Sequence, residues 1–164
     1  MEPFHKHIDE YRKQLKRGAI QKAYRGLMEY IMSLRTYFSG RYPDHFVSGS
    51  IYYGYMDMTF FSFVPESLKR RKLKPAIVFV HEAFRFEIWL AAVNRKVQAE
   101  YRQLIAENGW NKYRLAPEAK GVDSIIEHVL VDQPDFSDLD GLTERIETGA
   151  LQFIRDVEAF LSEH

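Results

Sequence analysis

The side chains best suited to chemistry gather around four positions: Asp57, His81, Glu82 and Arg85. Asp57 stands inside Tyr52–Phe63, YYGYMDMTFFSF, a run of aromatic and methionine side chains. An ionised carboxylate in apolar surroundings is costly unless it is paired or hydrogen-bonded. Asp57 therefore requires a specific partner. Strand alternation puts Tyr53, Tyr55, Asp57, Thr59, Phe61 and Phe63 on one face, with Met56, Met58, Phe60 and Ser62 on the other. Both faces read as buried, which predicts a sheet covered on both sides. A simple hairpin with Ala76–His81 sets Asp57 opposite His81 and Glu82, and the next turn brings Arg85 alongside.

Two chemistries fit that gathering. In one, an Asp57–Arg85 pair or an Asp57–tyrosine network fixes strand register. In the other, the sheet end is a pocket for a small ligand or a protein segment, lined by Tyr53, Tyr55, Asp57, His81, Glu82, Arg85 and Trp89. Carboxylates with an imidazole also suffice to hold a divalent ion. Against that, His81 and Glu82 are adjacent and point to opposite faces of a regular strand. Trp89 and Trp110 either pack in the core, given the area a tryptophan buries, or line a small-molecule cleft. The chain has no phosphate-cradling glycine loop, no HExxH and no nucleophile elbow. No catalytic residue, metal ligand set or cofactor follows from these residues.

The totals narrow the partners. Lys plus Arg equals Asp plus Glu at 23 each, so no general field draws nucleic acid or an anionic membrane. The one basic cluster, Leu68–Lys74, reads as a solvated loop that keeps a sheet edge from sticking, since nothing else builds a basic face. Cysteine is absent, which excludes disulfides and thiolate chemistry. The charged start, MEPFHKHIDEYRKQ, lacks the apolar core of a signal peptide, and no apolar run approaches the ~20 residues of a membrane span. The expectation is a cytoplasmic protein.

The elements that must position these residues follow from periodicity. Phe4, Ile8, Tyr11 and Leu15 recur at helical steps up to Gly18. Ile20, Tyr24, Leu27, Ile31, Leu34 and Phe38 form the stripe of a second helix, ended by Gly40 and Pro43. Ile51–Val64 is too long for one straight strand: about 46 Å at ~3.3 Å per residue, against about 40 Å for the whole domain. Gly54 is the natural break, leaving a strand over about Tyr55–Val64 that Pro65 ends. PAIVFVH and FRFEIWLAA add two strands, with a turn near Glu82 and Ala83, and short connections favour an antiparallel meander. Asn94 caps a helix that Asn108-Gly109 stops, SIIEHVLVD is a fourth strand, and Ser137 or Asp138 caps the last helix, about Leu139–Leu161. Gly149 inside that helix costs about 1 kcal/mol against Ala, which points to a close packing contact. The class is α+β: helix, helix, three strands, helix, strand, helix. The sheet is mostly antiparallel, four- or five-stranded, in a single domain over 1–164.

Two resemblances accompany this. From YIMSLRTYFSGRYPDHFVSGSIYYGYMDMTFFSF through IVFVHEAFRFEIWLA to DLDGLTERIETGALQFI, the chain resembles an uncharacterised family of small bacterial and archaeal proteins, a domain of unknown function. That implies a single domain and no particular activity. The order helix, three strands, helix, strand also resembles the core of restriction-endonuclease-like nucleases, in which an Asp and a Glu-x-Lys on successive strands hold magnesium and activate water. Asp57 and Glu82 fall in corresponding strands, but position 84 is Phe where that pattern has Lys. The leading expectation is a non-enzymatic module binding a small molecule or a protein at a tyrosine-rich sheet end. The alternatives are a metal-dependent hydrolase or nuclease relative using Asp57 and Glu82, and a purely structural or dimerising domain, a homodimer among its options, in which Asp57 only pins strand register.

Overall fold

A computed structural model describes residues 1–164 as five helices and six strands. Helices α1 (Phe4–Arg17) and α2 (Ala19–Arg41) meet at Gly18, whose φ of +79° lets its N–H bond the Leu15 carbonyl. A left-handed residue at this point closes one helix and redirects the chain. The inward stripe of α2 buries Tyr30, Ile31, Leu34 and Phe38.

The meander is β2 (Met58–Val64), β3 (Leu73–Val80) and β4 (Arg85–Ala92), with a single helical turn, α3 (Glu66–Lys69), after Pro65. Its register pairs Thr59 with Phe79 and Phe79 with Phe86, all antiparallel. Helix α4 (Arg95–Glu107) follows, capped by Asn94, whose Oδ1 accepts from the Val97 N–H at 2.9 Å. Strand β6 (Ser124–Val131) then pairs with β4, with two register shifts, at Phe86/Glu87 and Leu90/Ala91. Two-residue strands close the edges: β1 (Phe46–Val47) beside β2 and β5 (Arg114–Leu115) beside β6. The sheet order is β1-β2-β3-β4-β6-β5, so the expected four or five strands become six by these two short edge pairs. Helix α5 (Leu139–Ser162) is capped by Asp138, which accepts from the Gly141 N–H at 3.0 Å. No helix is long and apolar enough to cross a membrane.

One cluster of 28 buried residues joins the stripes of α2, α4 and α5 to the sheet face that carries Phe61, Phe79, Phe86 and Ile88. Phe38 of α2 packs its ring 4.7 Å from Phe63 and 6.1 Å from Phe61. Gly149 of α5 makes the close approach its position calls for, since a Cβ there would lie 2.9 Å from the Leu130 side chain.

The opposite sheet face corrects the expectation of cover on both sides. Met58, Phe60, Arg85 and Trp89 are only half-buried there. Val78 and Ala76, buried on that face, stand apart from the 28-residue cluster. An antiparallel sheet tolerates one open face because its strands need no crossover helices.

Candidate functional site

Asp57 lies just before β2, in a turn, rather than within the strand. Its Oδ1 accepts hydrogen bonds from the Tyr55 N–H at 2.9 Å and the Met58 N–H at 2.8 Å. The two amides, Tyr55 first, hold its carboxyl below the ordinary aspartate range, with a smaller pull from the nearby His81. The turn is tight. Gly54 has φ +71°, and a Cβ there would sit 2.2 Å from the Met58 carbonyl oxygen. The charge is thus satisfied by its own backbone, and the residue is exposed. The aromatic run starts its strand late because this Asp–Gly turn consumes residues 54–57.

The register guess for the hairpin holds at the main chain: the His81 N–H donates to the Asp57 carbonyl at 3.0 Å. At the side chains the gathering divides. Thr59 Oγ1 donates to the Tyr53 carbonyl at 2.7 Å and lies 2.8 Å from His81 Nε2. Its single proton is committed to Tyr53, so Nε2 carries the proton of the second bond and Nδ1 remains an acceptor. Burial lowers the His81 pKa, and the Asp57 charge counters this only in part, so the ring is neutral. Tyr53, Tyr55 and Glu82 are exposed around this end of the sheet.

Arg85 and Trp89 do not join them. Alternation sends both to the open face, where they share Glu87. Arg85 Nε bonds Oε2 at 2.8 Å, and Trp89 Nε1 donates to Oε1 at 2.8 Å. The expected Asp57–Arg85 pair is replaced by Arg85–Glu87, because residues two apart on a strand share a face. Trp110 lies elsewhere and stacks on Phe160 at 4.5 Å, so no cleft unites the two tryptophans. No group of three His, Asp or Glu side chains converges in a metal-holding arrangement.

What the sheet end does build is an apolar groove of about 640 Å³. Its walls are the start of α2 (Ile20, Tyr24, Leu27), the two turns beside His81, and the segment entering α5 (Phe136, Leu139). Nine of the twelve lining residues are hydrophobic, with His81 and Lys22 the side chains that bring polarity. Two rim residues have unusual backbones: Met56 at φ +61° and Phe84 at φ +53°. Phe84 closes the 81–84 turn through its N–H to the His81 carbonyl at 3.2 Å. Its ring is held edge-on to Phe79 at 5.2 Å and Phe136 at 5.9 Å. Met56 is 59% exposed and Phe84 54%. His81 is legible in the sequence, whereas the wall from α2 reaches the sheet end only through tertiary packing.

The groove continues into a cleft of about 920 Å³ between α2 and α5, with Gly26, Tyr30 and Leu139 common to both. Glu147 lies in this cleft. It accepts from Tyr37 Oη at 2.8 Å, Tyr42 Oη at 2.5 Å and Arg41 Nε at 2.8 Å. Burial pushes its carboxyl up, but the three donors together outweigh burial and hold it below the ordinary glutamate range. The sequence signal for this cluster was a glutamate beside Ile146 on a buried stripe, with Tyr37 and Arg41 one helical turn apart.

A family model described as a domain of unknown function, DUF7000, matches residues 4–161, and the chain belongs to that family. No curated protein and no solved structure matches the chain.

Proposed function

We propose that this member of the DUF7000 family is a non-enzymatic binding module, and that its site is the apolar groove at the sheet end. The observation that carries this is the pair Met56 and Phe84. Each is a large apolar residue, exposed to solvent, in a left-handed backbone conformation. That conformation costs a non-glycine residue roughly 1–2 kcal/mol. Strained residues concentrate where a surface has a task beyond folding. Here both sit on the rim of one groove. The volume falls in the range of small-molecule and peptide-segment sites, which are mostly apolar with a few polar groups. The His81 imidazole is that group, neutral and with Nδ1 as acceptor, so a guest with an apolar body and one hydrogen-bond donor suits the site. Asp57 contributes by holding the turn that presents Met56.

An apolar fluorophore such as anilinonaphthalene sulfonate tests the reading. Saturable binding is expected, and Met56→Glu or Phe84→Glu should abolish it in a protein with an unchanged circular dichroism spectrum. Saturable dye binding that neither rim substitution weakens overturns the assignment. Met56→Gly adds a prediction of opposite sign. It relieves the left-handed strain and should raise stability to urea by about 1 kcal/mol or less, after the entropic cost of glycine, while weakening dye binding. A destabilised Met56→Gly variant would show that the strain at this rim is not real.

A further inference from the structure

Helix α1 has an apolar face with nothing on it. Phe4, Ile8, Tyr11 and Leu15 align along one side of the helix, yet none of its residues is buried, and Phe4 is 77% exposed. A continuous apolar stripe left in water is a feature that normally has a cover. The same chain carries an open trough. The groove and the acidic cleft share a wall along α2 from Ile20 to Tyr37, which at ~1.5 Å per residue is about 26 Å long. Helix α1, with 14 residues, is about 21 Å long on the same rise.

The charges match as well as the lengths. The polar side of α1 carries Lys6, Arg12, Lys13, Lys16 and Arg17 against two acids, Asp9 and Glu10. The cleft carries Asp140 and Glu144 in addition to Glu29 and Glu147, whose charges Arg25 and Arg41 already meet. Helix α1 leaves α2 at the left-handed Gly18 and does not lie down on its own chain.

We infer that α1 of one copy docks its Phe4–Ile8–Tyr11–Leu15 stripe in the groove of a second copy, with its basic flank along Asp140 and Glu144, and that the exchange is reciprocal. Each chain supplies one helix and one trough, so two equivalent contacts close a two-fold pair with neither feature left over. The inference rests on the groove being a binding site, and it names the guest.

Sedimentation of the full chain tests it. The native protein is expected to be a dimer at micromolar concentration, and added salt should weaken it because part of the contact is between charges. Ile8→Gln with Leu15→Gln removes the stripe from an exposed helix, and Ala23→Arg blocks the groove from an exposed position of α2. Each variant alone should be monomeric. Mixed together they should form a heterodimer, since one sound helix then meets one sound groove. Glu144→Lys should weaken the native dimer by about tenfold or more, and Lys16→Glu in the mixed partner should recover part of the loss. A native chain that is monomeric at high micromolar concentration overturns the exchange, as does a dimer that survives the stripe variant. The dye, read also on the Ile8→Gln/Leu15→Gln chain whose groove no helix fills, separates this from failure of the groove itself, and in the native dimer α1 should compete with it. If the native chain is monomeric but binds dye in a Met56- and Phe84-dependent way, the groove stands and only its guest was wrong. If dye binding is also absent, both fall.

Discussion

At the scale of single residues, Asp57 shows how a charge can be satisfied without a charged partner. Two backbone amides at hydrogen-bond distance do the work that a distant arginine was expected to do. Asp57→Asn keeps an oxygen in the Oδ1 position, so the turn survives and the loss of stability is small. Asp57→Ala leaves two amides without their acceptor and lowers the melting temperature further. A larger loss for Asn than for Ala would mean that the charge, not the acceptor, holds the turn. Gly54→Ala is the harsher change, because the new Cβ meets the Met58 carbonyl oxygen and φ stays at +71°. A cost of about 2 kcal/mol or more is expected in urea unfolding, with the mechanism being a left-handed backbone plus a main-chain collision. The aromatic content of Tyr52–Phe63 concealed this turn. Strand-forming residues outnumber the Gly and Asp that break the strand, and the signal that wins is the spacing of Gly54 from Asp57.

At the scale of elements, the helices were legible because their stripes are long and their stops are chemically marked. Gly18, Asn94 and Asp138 act where their side-chain or backbone chemistry places them. The meander was legible because short connections leave an antiparallel pair no other arrangement. Edges β1 and β5 were not, since two residues carry no periodicity. The joint between α2 and α5 was also hidden, because Glu147 meets Tyr37, Arg41 and Tyr42 across more than a hundred residues of chain. Glu147→Ala removes one acceptor from three donors, two of which can turn to water. A loss of roughly 2 kcal/mol is expected, the scale of hydrogen bonds to a charged group. Glu147→Gln should recover part of it, since the amide oxygen still accepts from one tyrosine. Indistinguishable stability of Glu147→Ala and the native chain in urea would show that α2 and α5 are held by their apolar stripes alone.

Across the whole molecule, the shifted acids and imidazoles move in one direction. Asp57, Asp135 and Asp156 are held below the ordinary aspartate range, chiefly by hydrogen bonds, and Glu147 lies below its own range once its donors overcome burial. Burial lowers His81 and His128, more than the neighbouring acids raise them. In every case the folded group binds a proton less readily than the unfolded one. A group of this kind stabilises the fold above its unfolded pKa, and its contribution is lost as pH falls through the folded value. Stability should therefore begin to decline below about pH 6.5, where unfolded histidines start to take protons, and steepen below about pH 4 as the carboxylates follow. The melting temperature as a function of pH measures this directly. His81→Gln and His128→Gln together should flatten the upper part of the curve and leave the acid limb in place. A native curve that is level from pH 7 to pH 5, or a double variant that retains the upper decline, would place the imidazoles in water rather than in the packed interior between the sheet and its helices.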